Sequence, residues 1–206
     1  MLMSMVREDN ARERLIESTR ELLWDRGYLG TSPSAILRRA DVGQGSMYHH
    51  FHGKPDLLLA AERRSAAVLQ QQVRDVFSGG GTAFERIAAY LQQERDVLRG
   101  CPVGRLAHDP EVVADDALRE PVRETFEVVQ ACLTQAVEEG MASGEFCPDL
   151  DAVQTASALV AVIQGGYALA RAEQSVEPFN RAVLGALALL KASTPLQNDH
   201  AVVQPQ

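Results

Sequence analysis

The sequence predicts an all-α protein: an N-terminal helix-turn-helix of three helices, then a larger helical part, about nine helices in total. Three observations carry that expectation. Apolar residues recur at spacings of three and four between Gly and Pro breaks, which is the period of an amphipathic helix. Aromatics make up 5% of 206 residues and hydrophobic residues 46%, and with Ala and Leu common this composition favours helix over sheet. The stretch from Gly27 to Leu57, GYLGTSPSAILRRADVGQGSMYHHFHGKPDL, packs two short helical signals, a tight turn and many phosphate-binding side chains together.

Each element has its own signal. Leu15, Ile16, Thr19, Leu22 and Leu23 share a helical face, so the first helix runs from about Asp9 to Arg26 and Gly27 closes it. Ser32 is a good N-cap and Pro33 suits a first helical position, which starts a second helix reaching Ala40 and burying Ile36 and Leu37. Asp41-Val42-Gly43 is the turn. A third helix spans Gln44 to Phe51, with Met47 and Phe51 core by spacing. Gly53-Lys54-Pro55 opens a fourth helix to about Phe77, and the SGGG run at 78–81 breaks the pattern. Thr82 caps a fifth helix expected to end at Gly100. Cys101 to Pro110 is irregular or a short helix. Leu118, Val122, Phe126, Val129, Leu133 and Val137 mark a long helix from about Asp115 to Glu139. Asp149 or Asp151 caps the next, reaching Ala172, and Pro178 opens the last, ending near Ser193. Residues 194–206 are expected to form a mobile tail.

Charge divides the chain. The net charge is -8 overall. Residues 1–55 hold eight Lys+Arg against seven Asp+Glu, and residues 56–206 hold twelve against twenty-one. The excess acid lies outside the first segment, which leaves that segment free to meet a polyanion. Cys101, Cys132 and Cys147 show no paired spacing, so reduced thiols are expected. The start MLMSMVREDN has too short an apolar run for a signal peptide. Ala156 to Ala170 is the most apolar stretch; it is too short to span a bilayer and reads as a buried helix. A cytoplasmic protein without membrane contact follows. Tyr48, His49, His50 and His52 cluster, but no third ligand of metal-binding type is near in sequence, so no metal and no cofactor are expected. No nucleophile–base pairing and no phosphate-cradling glycine loop support an enzyme.

The chemistry of the first segment suits double-stranded DNA. Gly45 lets backbone approach closely. Gln44 and Ser46 stand at the exposed start of the third helix, within reach of base edges. Tyr48 and His49 offer donors to phosphates, as do Thr31 and Ser32 on the opposite strand. Lys54 lies at a helix N-terminus, where charge and dipole both favour a phosphate.

The order Gly27-Tyr28, Thr31-Ser32, Ile36, Ala40-Asp41-Val42, Gly45, Met47-Tyr48, His50-Phe51, Lys54 and Leu57 resembles the signature of the TetR family of transcriptional regulators. It covers about a quarter of the chain in unbroken register. Asp41 replaces the usual turn glycine, and Asp tolerates a left-handed backbone. Gly43 replaces the usual serine cap, at a cost of a few tenths of a kcal/mol. The resemblance implies a DNA-binding domain over 1–55 and a ligand-binding and dimerisation domain over 56–193, with the fourth helix as connector. GCPVGRLAHD at 100–109 and Ala168-Leu169-Ala170-Arg171-Ala172 are similar to the YxaF/LmrA-like subgroup. That similarity implies a repressor answering small apolar or aromatic compounds.

Candidate effector residues are Tyr90, Cys101, His108, Phe126, Gln130 and Tyr167, polar or aromatic groups among aliphatic neighbours. Leu159, Val162, Ile163, Gly166 and Leu169 form one stripe and Val183, Leu184 and Leu187 another; two such helices per subunit would build a four-helix homodimer interface. The expected partners are an operator duplex, a small-molecule effector and a second copy of the chain. An effector-blind DNA-binding or scaffolding protein would share the same head.

Overall fold

The computed structural model describes residues 2–193, with side chains from Asn10 onward. Residues 194–206, the expected tail, lie outside the described residues. Among the described residues there are nine α-helices and no strand.

Helix α1 (Leu2–Arg26) starts earlier than the expected Asp9, since no Gly or Pro interrupts the sequence from Leu2 to Asp9. It buries Leu15, Ile16, Leu22 and Leu23. Helix α2 (Pro33–Ala40) is capped by the Ser32 hydroxyl, which accepts the Ala35 N–H at 3.3 Å. Asp41 closes α2 in the left-handed region at φ 50 and ψ 53, the backbone that a turn glycine would otherwise supply. Helix α3 (Gln44–His50) has Gly43 at its N-cap with no side-chain bond. Ile36, Met47 and Phe51 are buried and close the core of this three-helix head. Helix α4 (Lys54–Phe77) packs on α1 at one end and on α7 (Asp116–Ala142) along its length.

Helix α5 (Ala83–Gln92) begins with a capping box between Thr82 and Glu85 and stops well short of the expected Gly100. The reason is Arg95. Its guanidinium turns back and donates to the carbonyls of Tyr90 (2.5 Å), Leu91 (2.9 Å) and Gln93 (3.2 Å), taking up C-terminal acceptors that a continuing helix would have used. Residues 101–110 then make a 3₁₀ turn (Gly104–His108), and α6 (Pro110–Ala114) follows with Asp109 as its cap.

Helices α8 (Ala152–Glu173) and α9 (Glu177–Ala192) form an antiparallel pair. Their packing corrects the expected dimer stripes. Leu159, Ile163, Gly166, Val183 and Leu187 are buried within the protomer. A Cβ on Gly166 would lie 2.9 Å from the Phe179 ring of α9, so that glycine serves the α8–α9 contact. Two amphipathic helices joined by a short turn bury their strongest stripes against each other first. Of the predicted set, Leu169 and Leu184 remain exposed and Val162 half-buried. The α8 helix is also longer than the apolar stretch read from sequence. At 22 residues, with a mean hydropathy of 1.3 over an 18-residue window, it is the one helix among the described residues long and apolar enough to cross a membrane.

Candidate nucleic-acid interface and ligand cavity

The start of α3 is the exposed tip of the head. Gln44, Gly45, Tyr48 and His49 are exposed and Ser46 half-buried, while Met47 anchors the helix from below. A Cβ on Gly43 or Gly45 would meet no described atom within 4 Å. Glycine at these positions therefore answers no crowding inside the protomer. Ser32 and Ser34 are exposed beside the tip, their hydroxyls 3.1 Å apart. Arg38 and Arg39 on α2 are exposed as well, and Arg38 has no carboxylate within 4.0 Å among the described residues. The sequence reading passed over this pair, although RRA stands in the heart of the motif.

Two predicted DNA contacts are engaged elsewhere. Thr31 is fully buried and its hydroxyl donates to the Gly27 carbonyl at 2.7 Å, so it holds the head's own turn. Lys54 is half-buried; its ammonium donates to the Tyr28 carbonyl at 3.1 Å and lies 4.6 Å from the centre of the Tyr28 ring. A threonine at the foot of a helix readily bonds the backbone, and a lysine stem reaches an aromatic face as easily as solvent.

The segment from 99 to 109 grips the head at both of its ends. At one end, Trp24 Nε1–H donates to the Gly100 carbonyl at 2.8 Å. The Arg99 guanidinium stacks 3.8 Å from the Trp24 ring and pairs with Glu21 at 2.6 Å and Asp25 at 2.7 Å. At the other end, Asp109 Oδ2 accepts the Tyr28 N–H at 2.8 Å and the Leu29 N–H at 3.4 Å. Under this junction lies Glu62 of α4, 2% exposed, with Oε1 unpartnered among the described residues. Burial pushes its carboxyl up to about 8, against the lowering charge of Arg63. Burial also raises the nearby Tyr28 phenol, helped by the carboxylates of Glu111, Asp115, Asp109 and Glu62.

A cavity of about 290 Å³ opens between α1, α4 and residues 93–102, with Trp24, Val68 and Leu69 on its walls. Behind it is an inner chamber with only about 20 Å³ free, lined by Tyr90, Thr125, Phe126, Val129, Ile163 and Gln164 among others. Leu69, Gln93, Arg95, Cys101 and Tyr167 line both spaces and so form the partition between them. Burial raises the phenols of Tyr90 and Tyr167, and the Arg95 charge opposes that rise at both. The Cys101 thiol is buried and accepts the Gly104 N–H at 3.2 Å. A Cβ on Gly104 would sit 2.3 Å from Gln164 Oε1, so this glycine lets the segment lie directly on α8.

Two family models match the chain. One, described as bacterial regulatory proteins of the tetR family, covers residues 15–61. The other, the tetracyclin repressor-like C-terminal domain, covers residues 82–185. The chain belongs to the TetR family. TetR-family proteins are DNA-binding transcriptional regulators and not enzymes. The HTH-type transcriptional repressor NemR of Escherichia coli (strain K12) is 30% identical over 185 residues, which cover 85% of this chain and 92% of NemR. The crystal structure of E. coli NemR in its reduced form superposes with a TM-score of 0.78 at 27% identity, covering 90% of this chain and 98% of that one. The HTH-type transcriptional regulator LmrA of Bacillus subtilis (strain 168) is 25% identical over 82% of this chain and 90% of its own length.

Within this TetR-family chain, four of the six predicted effector residues come together: Tyr90, Cys101, Phe126 and Tyr167 all line the inner chamber. The other two do not. His108 is exposed at the end of the 3₁₀ turn, because Leu106, two residues earlier, takes the buried side of that turn. Gln130 donates to the Ser157 hydroxyl at 3.1 Å and ties α7 to α8 outside the cavity. Arg95 and Trp24 belong to the site and were missed. A charged residue in a polar QQERD run carries no helix-period signal of burial, and Trp24 read as part of the first helix alone. No group of three or more His, Cys, Asp or Glu side chains gathers as a metal set among the described residues.

Proposed function

We propose that this chain is a ligand-responsive repressor that binds a palindromic operator as a homodimer and releases it when a small apolar or aromatic effector enters the cavity. Residues 1–55 act as the DNA-binding head and 56–193 as the ligand-binding and dimerisation part, with α4 as connector. Gln44 and Ser46 read base edges, while Ser32, Tyr48, His49 and Arg38 hold phosphates on either side. Gly45 gives the sugar-phosphate backbone room. The relatives named as transcriptional repressor and regulator support this assignment.

The exposed face of α8 and α9 is the dimer surface. Leu189 (75% exposed), Leu184 (57%) and Leu169 (52%) stand on it. Exposed Ala158, Ala161, Gly165 and Gly185 between them allow close approach of partner helices. A second copy covering this face leaves the apolar side of α8 in protein contact, which favours a cytoplasmic protein over a membrane one.

One observation carries the coupling: the segment that holds the head at Trp24 and at Tyr28 also contributes Cys101 to the wall of the cavity. A ligand that displaces this wall shifts both attachments. The separation of two recognition helices must match major grooves one helical turn apart, roughly 34 Å, so a small tilt of each head suffices for release. The test pairs two measurements on the full chain. Palindromic sites are selected from random duplexes and their affinity followed by anisotropy, while a library of small aromatic and aliphatic compounds is screened by melting temperature. Compounds that raise the melting temperature should lower operator affinity, because the coupling is reciprocal. A selected operator with no melting shift from any compound would instead support the effector-blind reading.

A further inference from the structure

We propose that the cavity selects a one-ring aromatic acid, with its carboxylate held by Arg95 and the phenol hydroxyl of Tyr167. This rests on the effector reading above and names the ligand class. The partition between the two spaces carries a cation, Arg95, and no carboxylate. A guanidinium has five N–H donors. Arg95 gives Nη1 to the Leu91 and Gln93 carbonyls and one bond from Nη2 to the Tyr90 carbonyl. The Nε–H and one Nη2 donor have no carbonyl or carboxylate acceptor among the described residues and meet only the neutral phenols of Tyr90 and Tyr167, on a guanidinium lying 5.1 Å from the centre of the Tyr90 ring. Two donors on one planar group suit the two oxygens of a carboxylate.

Arg95 is also uncompensated. Arg20, Arg64, Arg86 and Arg99 each have a carboxylate within 4.0 Å, whereas Arg95 has none among the described residues. The Tyr90 and Tyr167 phenols beside it are neutral hydrogen-bond partners of the guanidinium and supply no countercharge. A half-buried cation among neutral phenols and carbonyl dipoles favours an anionic ligand over a neutral one.

The acids on this side of the molecule do not fill that role. Glu21 is paired with Arg99. Asp96 accepts the Arg99 backbone N–H at 3.3 Å, and both Asp96 and Glu94 are exposed at the mouth, where water screens them. Size limits the rest of the ligand. A cavity of about 290 Å³ lies at the low end of the range for small-molecule sites and admits one ring with a substituent. Leu69, Val68 and Trp24 give that ring apolar walls.

Trp24 is the only tryptophan of the chain and lines the cavity, so its fluorescence reports occupancy directly. Benzoate, benzamide and benzylamine are titrated into the full chain and their effect on operator affinity is measured alongside. Benzoate should bind about tenfold or more tighter than benzamide, the difference expected between a charge-assisted pair and a neutral one, and benzylamine most weakly. Arg95→Gln should collapse the benzoate-to-benzamide ratio to about one. Because Arg95 also caps α5, Tyr167→Phe serves as the second variant: it spares the cap and should lower benzoate affinity about tenfold while sparing benzamide. Equal affinity for benzoate and benzamide in the wild type would overturn the acid while leaving an apolar effector standing. Preferential benzoate binding that leaves operator affinity unchanged would uphold the acid and overturn the repressor reading. No binding by any of the three would overturn the acid assignment.

Discussion

Glu62→Gln should remove a pH dependence of stability that the wild type carries, and should stabilise the protein on the alkaline side. The side chain is 2% exposed and one carboxyl oxygen has no partner among the described residues. Burial holds its carboxyl near 8 in place of an ordinary 4.5. A carboxyl raised on folding is neutral in the native state while ionised in the unfolded chain. Its contribution to stability is therefore complete below about 4.5 and is lost as pH rises through 8. At 1.36 kcal/mol per tenfold change the full interval sets an upper bound of roughly 5 kcal/mol; relaxation and water entry around an ionised core carboxylate reduce this to a few kcal/mol. Gln keeps the shape and the hydrogen-bonding capacity without the charge. Urea denaturation at pH 5, 7 and 9, followed by helical circular dichroism, measures the difference between the two proteins, in which other titrating groups cancel. The wild type should match the variant at pH 5 and fall behind it by a few kcal/mol at pH 9. Parallel stability curves across that range would refute the burial argument and place Glu62 within reach of water.

Two further substitutions separate internal packing from external contacts. Gly45→Ala should stabilise the free protein by about 0.5–1 kcal/mol, since alanine is the better helix residue and nothing described crowds its Cβ. It should nonetheless weaken operator binding; an unchanged affinity would mean that the DNA backbone does not approach there. Gly165→Leu, also in open space within the protomer, should leave the melting temperature of a dilute monomer intact and shift the dimer to monomer in sedimentation. Gly166→Leu collides with Phe179 and should lower stability at every concentration. A Gly165→Leu protein that stays dimeric would move the interface elsewhere on the surface.

The head was legible in the sequence because its constraints are local. Ser32, Pro33, Asp41 and Gly43 each act within four residues of themselves, and the structure puts a cap, a first turn and a left-handed residue where chemistry requires them. Long periodic helices were legible for the same reason. What failed is what depends on a distant partner. Nothing near Gly166 in sequence says that Phe179 lies across from it. A buried stripe looks the same whether a neighbouring helix or a second subunit covers it, so residues such as Leu159 and Val183 were assigned to the wrong partner. The end of α5 was missed because Arg95 is both the residue that ends the helix and a good helix former. Thr31 was misjudged, and the bond from Lys54 to the Tyr28 carbonyl was not foreseen, because residue type predicts what a side chain can bond and not which of several acceptors it meets first.

Residues 95–109 combine three roles that the sequence shows separately. Arg95 ends α5 and stands in the partition of the cavity. Arg99 and Gly100 fasten Trp24 of the head. Asp109 fastens Tyr28 and caps α6. Only about 20 Å³ is free in the inner chamber, so a ligand that reaches Tyr90 must move Arg95, Cys101 or Tyr167 to enter. Moving Cys101 strains the adjacent Gly100 carbonyl, whose bond to Trp24 is one of the two attachments of the head. Packed interiors switch between arrangements more readily than they deform smoothly. On the proposed function, the occupied chamber and the operator-bound head would be alternative uses of one short segment, and binding at either site would oppose the other through it.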